Sequence, residues 1–489
     1  MTLFSCTSGD AAAAGHGGCL CHRPEIHSLT RRIGADLSRR GFVAGMAGSV
    51  ASLGLPKRAG AQPSSARAEP SRPILFTNFR LFDGNSGTLR EGLRLLVEGN
   101  RIKAVALGNP AAPNGAQVID CGGRVLMPGL IDAHWHSIFA AVPLPTLLNA
   151  DFGYVYLAAS AEAERTLMRG FTTVRDLGGP AFALKQAIDD GLVAGPRIYP
   201  SGAMITATSG HGDMRPLYDV PSVGSRLSRM EQTGASIIVD SPDLVRLRVR
   251  EQLLQQASQI KLVGSGGVSS PRSPLEAATL TEPELRAGVE AAKDWNTYAT
   301  VHAYTPHTMQ RAIAAGATCI EHGHLMDDAT AGLMAEKGIW LSIQPFLGSD
   351  DAIPLTGPSQ ARLLQVISAA DKAYTLAREH GIKTAFGSDL LFSGTLTARQ
   401  GTMLTHLTRW YPNAEILRMA TAINGELLSL SGPRNPYPGK LGVVEQGALA
   451  DLLLVDGNPL ENIGLIEDPA KNFLIIMKDG KIHKNTLNA

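Results

Sequence analysis

Met127-Pro128-Gly129-Leu130-Ile131-Asp132-Ala133-His134-Trp135-His136 runs from a Pro-Gly turn through an apolar pair into two histidines one residue apart. The turn and the Leu-Ile pair predict a short buried strand rather than a helix. Side chains at i and i+2 of a strand share a face, so His134 and His136 can converge on one ion. Two buried imidazoles also fit a blander role, satisfying only their own hydrogen bonds, and the rest of the chain decides between the two.

Lys and Arg total 45 against 44 Asp and Glu, a balance that points away from nucleic acid and acidic membranes as partners. A chain of 489 residues, 44% hydrophobic, suits two to three domains or one large barrel with an accessory domain. Its 52 glycines and 29 prolines suit many turns between strands and helices.

The first 61 residues read as a removable leader. Ser38-Arg39-Arg40-Gly41-Phe42-Val43 precedes a weakly apolar, Gly/Ala-rich run, and Ala59-Gly60-Ala61 supplies a small-residue cleavage site. This is the pattern of a twin-arginine export signal, which predicts a periplasmic or secreted protein that folds before export. The apolar run is too short and Gly-rich for a stable transmembrane span. Cys19-Leu20-Cys21-His22 falls in the leader and is read as part of it rather than as a metal cluster. Beyond it only Cys121 and Cys319 remain, too few for a disulfide framework. Residues 62–72, rich in Pro, Ser, Ala and Arg, read as a linker.

From 73 to 127 short alternating strands and Gly-Asn or Asp-Gly turns predict a small antiparallel sheet, and 441–489 repeats the pattern. Both ends of the mature chain are therefore expected to form one β-sandwich domain. Between them, 128–440 alternates strands with helices. Candidate strands lie at Leu130–His134, Thr172–Arg175, Arg197–Pro200, Gln259–Val263, Ala299–His302, Thr318–Glu321, Trp340–Ile343 and Lys383–Phe386. Eight such units predict a (β/α)8 TIM-like barrel, in the α/β class. No Gly-rich dinucleotide fingerprint supports the alternative, an open doubly wound sheet.

On that map His134 and His136 end strand one, Lys261 sits on strand four, and His302 and His322 end strands five and six. Asp389 follows strand eight. The C-terminal ends of barrel strands gather on one face, so these groups meet at one mouth. Imidazoles and a carboxylate suit zinc or a similar divalent metal. His134, His136 and Asp389 can hold one ion, and His302 with His322 a second. An ammonium cannot ligate, but burial lowers the pKa of Lys261, and its neutral amine can take up carbon dioxide as a metal-bridging carbamate. A hydroxide shared by two Zn2+ ions would be the nucleophile, with Asp389 moving its proton to the leaving amine. Glu321, next to His322, is expected on the opposite side of its strand. Arg175 and Asp176 are expected to form a structural pair, and His307 and His324 to be exposed or to stand behind the ligands.

These residues, with Val118-Ile119-Asp120, Ala448-Leu449-Ala450-Asp451-Leu452 and Gly457-Asn458-Pro459-Leu460, make the chain similar to the amidohydrolase superfamily of metal-dependent hydrolases. The resemblance implies the barrel, the split sandwich, and two zinc ions bridged by N6-carboxylysine at Lys261. It assigns ligand roles to His134, His136, Lys261, His302, His322 and Asp389. Ile260-Lys261-Leu262, Ser209-Gly210-His211-Gly212-Asp213, Val301-His302-Ala303-Tyr304 and Ile320-Glu321-His322-Gly323 resemble the branch of Xaa-Pro dipeptidases, related carboxypeptidases and ochratoxin-degrading amidases. That branch implies a small-molecule amide or dipeptide substrate with a free carboxylate, and often a homo-oligomer, in some members an octamer. Alongside Asp389, His211 is then expected to polarise the scissile carbonyl, and Tyr304 to bond the oxyanion or the substrate carboxylate. Apolar residues near the mouth, among them Phe346, Leu347, Leu391 and Phe392, favour a hydrophobic or aromatic group beside the bond. Two other readings stay open at this point: a cyclic-amide hydrolase of imidazolonepropionase type, and a non-catalytic periplasmic metal or ligand binder.

Overall fold

The computed structural model describes residues 72–108, 112–221 and 227–487. The expected leader over 1–61, and nearly all of the linker, lie outside the described residues.

Strands β1 (Ile74–Leu81), β2 (Leu93–Glu98), β3 (Arg101–Leu107) and β4 (Gln117–Pro128) come from the N-terminal side; β15 (Leu452–Val455), β16 (Phe473–Lys478) and β17 (Lys481–Asn485) come from the C-terminal side. They form one seven-stranded sheet in the order β17-β16-β15-β4-β1-β2-β3. All neighbours are antiparallel except β1 and β4. β3 turns back to meet the lead-in to β15, where Ile102 N donates to Ala448 O and Gly447 N to Ile102 O. The sheet thus folds over its own apolar core of Phe76, Leu95, Ile102, Leu126, Leu454 and Met477.

Strand alternation explains why β4, β15 and β16 read as continuous apolar runs. Leu126, Leu452, Leu454 and Ile475 face the small-domain core, while Val125, Met127, Leu453, Val455 and Ile476 face the barrel core. One sheet is buried on both faces, which fastens the two parts together. β4 ends at Pro128 and the first barrel strand begins at Leu130, so Gly129 alone separates them.

The barrel strands are β5 (Leu130–Trp135), β6 (Phe171–Asp176), β7 (Arg197–Pro200), β10 (Ile260–Val263), β11 (Ala299–Ala303), β12 (Cys319–His322), β13 (Trp340–Ile343) and β14 (Thr384–Phe386), and every ladder is parallel. Helices such as α1 (Phe152–Met168), α2 (Glu282–Asp294), α3 (Pro306–Ala314), α4 (Asp328–Lys337) and α5 (Gly357–Glu379) cross between them. α2 shows how local sequence starts one: Thr281 and Glu284 form a capping box, with Pro283 in the first turn.

Two departures from a regular barrel affect the site. The third strand is broken: after β7, Gly202 turns at φ +74, and β8 (Met204–Thr206) then pairs with β10 and with an additional strand, β9 (Ser236–Ile238). Neither β8 nor β9 is expected from periodicity, because three residues are too few to show a period. The barrel also closes between β14 and β5 partly through side chains. Asn424 Nδ2 donates to Ile131 O at 2.7 Å and Phe386 O at 2.8 Å, and Ser388 N donates to Asp132 Oδ1 at 3.0 Å. Among the described residues no helix is long and apolar enough to cross a membrane.

Candidate metal centre

The C-terminal strand ends bring the ligand candidates together. His134, His322 and Asp389 each offer a ligand atom within 4.8 Å of the others. His134 Nε2 lies 3.4 Å and His136 Nε2 3.2 Å from Asp389 Oδ1. The His302 and His322 ring centroids are 4.4 Å apart. Lys261 is buried on β10, in the electrostatic reach of Glu321, Asp389 and Arg175. His322 and Asp389 adopt positive φ, +74 and +52. Such backbone costs on the order of 1–3 kcal/mol per residue and persists where the surroundings hold it.

Each of the four imidazoles commits one ring nitrogen to a neighbour. His134 Nδ1 donates to Glu321 Oε2 at 2.8 Å, and His136 Nδ1 to Gly178 O at 3.2 Å. His322 Nδ1 donates to Gln344 Oε1 at 2.7 Å, and His302 Nε2 to Gly266 O at 2.8 Å. The partners are acceptors, so those nitrogens carry the proton. The remaining nitrogens, Nε2 of His134, His136 and His322 and Nδ1 of His302, keep lone pairs, as metal ligation requires. Burial, the largest cause, pulls His134 down to about 4 and holds His302 and His322 well below the usual histidine range. His134, His302 and His322 are therefore neutral, and the donor set fits borderline-soft divalent ions such as zinc.

The charged groups are tuned by their surroundings. Burial brings the Lys261 ammonium down to about 8, against the pull of Glu321 and Asp389. For Asp389 burial acts upward, but the neighbouring His134, His136 and Lys261 outweigh it and leave the carboxyl below its ordinary value. Glu321 is likewise pushed upward by burial and carried well below its ordinary value by Arg175 and His134.

Glu321 is the functional group that strand periodicity missed. It points into the barrel rather than away from His322, because the left-handed backbone at His322 breaks the alternation. Arg175 and Asp176 do not pair with each other. Adjacent on β6, they face opposite ways: Arg175 Nη2 meets Glu321 Oε1 at 2.6 Å, while Asp176 accepts from Ser137 N at 2.6 Å. His307 is exposed beside Arg311, and His324 is buried with Nε2 donating to Gln344 O. Gln344, just past β13, carries no sequence signal that would have singled it out.

His211 stacks on His302 with centroids 4.6 Å apart. A Cβ on Gly267 would come within 2.4 Å of His211 Nδ1, so the Gly264-Ser265-Gly266-Gly267 run lets this ring approach. Burial brings His211 down to about 4, and its Nδ1 has no hydrogen-bond partner among the described residues. Tyr304 stacks on His322 at 4.9 Å, and burial raises its hydroxyl. Both line a cavity of about 70 Å³ with Phe346, Ile353, Leu391 and Phe392. Leu347 is instead 39% exposed and outside that lining. The cavity is below the roughly 300–1,000 Å³ of ordinary ligand sites. Asp351, which also lines the cavity, accepts from Leu347 N and Arg399 Nη2, each at 2.8 Å.

The Amidohydrolase family model matches residues 125–484. Ochratoxinase of Aspergillus niger is 33% identical over 385 residues, spanning 74% of this chain and 76% of that protein. A prolidase crystallised with N-methylphosphonate-L-proline superposes with a TM-score of 0.78 at 35% identity, covering 85% of this chain and all of that one. A Xaa-Pro dipeptidase with methionine bound in its active site gives 0.73 at 28% identity, covering 84% of this chain and all of that one.

Proposed function

The chain belongs to the amidohydrolase family, hydrolases of amide bonds, and on that footing we propose a binuclear zinc enzyme that frees an amino acid from a dipeptide or N-acyl amino acid. Hydrolysis of ochratoxin A to phenylalanine and ochratoxin alpha is the aromatic case within that class, supported by the likeness to ochratoxinase. The observation that carries the reading is the set of four imidazoles, each with one nitrogen bonded to an acceptor and the other left as a ligand.

His134, His136 and Asp389 would hold one ion, His302 and His322 the other, with carboxylated Lys261 between them. When bound, such ions supply Lewis acidity toward the amide carbonyl and a nucleophile at neutral pH. Asp389, kept as a carboxylate, holds the proton in transit and delivers it to the leaving nitrogen. A neutral His211 donates a hydrogen bond to the scissile carbonyl, and the Tyr304 hydroxyl bonds the oxyanion. Phe346, Ile353, Leu391 and Phe392 exclude water and favour an apolar or aromatic substituent. Export by a twin-arginine route and assembly into a homo-oligomer belong to the same proposal, supported by Arg39-Arg40 with its flanking residues and by the branch resemblance.

The test is a hydrolysis screen of Xaa-Pro dipeptides, N-acyl-phenylalanines and ochratoxin A, with metal content measured alongside. Release of a free amino acid by protein carrying two zinc ions per chain is expected. One ion per chain with cleavage of cyclic amides only would favour the imidazolonepropionase-like reading. No release from any substrate by fully loaded protein would leave a binder.

A further inference from the structure

The His134, His136 and Asp389 side chains come from two sides of one seam: the histidines lie on β5 and at its end, and Asp389 follows β14. No strand ladder joins β5 to β14 among the described residues, since β5 pairs with β6 and β14 with β13. The β5–β6 ladder itself shifts register between Asp132 and Trp135, and it pairs neither Ala133 nor His134. The backbone that carries the ligands is therefore held by something other than sheet pairing.

Asp132 supplies that hold. Its Oδ1 accepts from His134 N on its own strand and from Ser388 N across the seam, each at 3.0 Å. Asp389 N donates to His134 O at 2.8 Å, which closes a ring through Asp132, His134, Asp389 and Ser388. The Asp132 Oδ2 accepts from Ser388 Oγ and, at 2.8 Å, from Gln400 Nε2. Gln400 Oε1 in turn accepts from Arg169 Nε at 3.1 Å, so turning the amide over would set donor against donor. Asp132 and Gln400 are both fully buried, and Asp389, at φ +52, is the strained residue that the ring restrains. At the two ligand-bearing segments Asp132 touches backbone N–H groups and the Ser388 hydroxyl, not the ligand side chains.

We propose that Asp132 is a positioning residue: supported by Gln400, it sets the spacing of His134 and Asp389 across the β5–β14 seam and thereby the affinity of the centre for its metal. This rests on the metal-centre part of the reading above.

Asp132→Asn keeps an acceptor for the two backbone N–H groups but turns a donor toward Gln400 Nε2. Adding Gln400→Glu restores one donor facing one acceptor and keeps Arg169 paired. Gln400→Leu removes the support alone. Metal-free proteins are titrated with zinc against a chelator, and with cobalt, whose visible spectrum reports ligand geometry. Asp132→Asn should lose roughly 10- to 100-fold in metal affinity and change the cobalt spectrum, with Gln400→Leu losing less. The double variant, Asp132→Asn with Gln400→Glu, should return to within about fivefold of wild type. Leu454→Ala, in the small-domain core, is the control: its denaturant midpoint should fall while affinity and spectrum stay as in wild type.

Wild-type affinity in Asp132→Asn, a loss that the double variant does not regain, or an equal loss in Leu454→Ala would overturn the assignment. If Asp132→Asn does not fold, Gln400→Leu and the double variant decide. Wild-type protein that binds metal but cleaves no amide would put the reaction assigned above at fault, and the titrations would still decide the role of Asp132. Wild-type protein that binds neither ion would overturn both.

Discussion

Glu321 joins His134 to Arg175: one carboxylate oxygen accepts from His134 Nδ1 at 2.8 Å and the other lies 2.6 Å from Arg175 Nη2. All three side chains are buried. The contact fixes which nitrogen of His134 carries its proton, and so which one is left as a ligand.

Glu321→Gln should therefore weaken metal binding by roughly 10- to 100-fold. It also strips a buried guanidinium of its counter-ion, which costs about 3–5 kcal/mol. Metal titration and denaturant unfolding of the metal-free protein check the two effects separately. Unchanged affinity would mean that His134 is oriented without Glu321.

Asp389→Asn keeps the shape of the side chain and removes its capacity to take a proton. Turnover of the best N-acyl amino acid should fall by about 10²- to 10⁴-fold. Substrate affinity, read as binding of a non-hydrolysed analogue, should change far less. A variant that retains more than a tenth of wild-type kcat would rule Asp389 out as the proton carrier.

Lys261, brought down to about 8, has a large neutral fraction at mildly alkaline pH. Reconstitution of metal-free protein with zinc should be faster with added bicarbonate and at pH 8 than at pH 6.5, because only the neutral amine forms a carbamate. Lys261→Ala should lose the bicarbonate dependence, and intact-protein mass spectrometry should show the mass of one bound CO2 on the wild type alone.

Asn424→Leu tests barrel closure. It leaves the Ile131 and Phe386 carbonyls without their donor and should cost about 2–4 kcal/mol. The drop should appear in the denaturant midpoint, with metal stoichiometry retained at low temperature.

The pH dependence of the metal-free protein follows from His134, His211 and His324, each brought down to about 4, mainly by burial. Between about pH 6.5 and 4 the unfolded chain binds protons at these histidines and the folded chain does not. Their contribution is complete above about pH 6.5 and is lost progressively as pH falls through this window. Urea midpoints measured from pH 7.5 to 4 should decline accordingly; a flat profile would show that the folded rings take up protons as readily as the unfolded ones.

Much of this site is legible in the sequence because strand ends in a parallel barrel share one face. A residue's place at the end of a strand therefore suffices to bring His134, His302 and His322 to one mouth. The same period-two reasoning misplaces Glu321, since it assumes regular backbone where His322 turns at φ +74. It likewise pairs Arg175 with Asp176 by adjacency, although neighbours on a strand point to opposite faces.

By itself the sequence determined the barrel, the domain shared by both chain ends and the inventory of candidate ligands, since all three follow from periodicity and spacing along the chain. Which nitrogen of each imidazole is free, why Glu321 faces inward and how β14 meets β5 were decided only by the tertiary structure. So was the small cavity beside His211 and Tyr304. These depend on distances between residues tens to hundreds of positions apart and on a few residues of irregular backbone, and a linear pattern records neither.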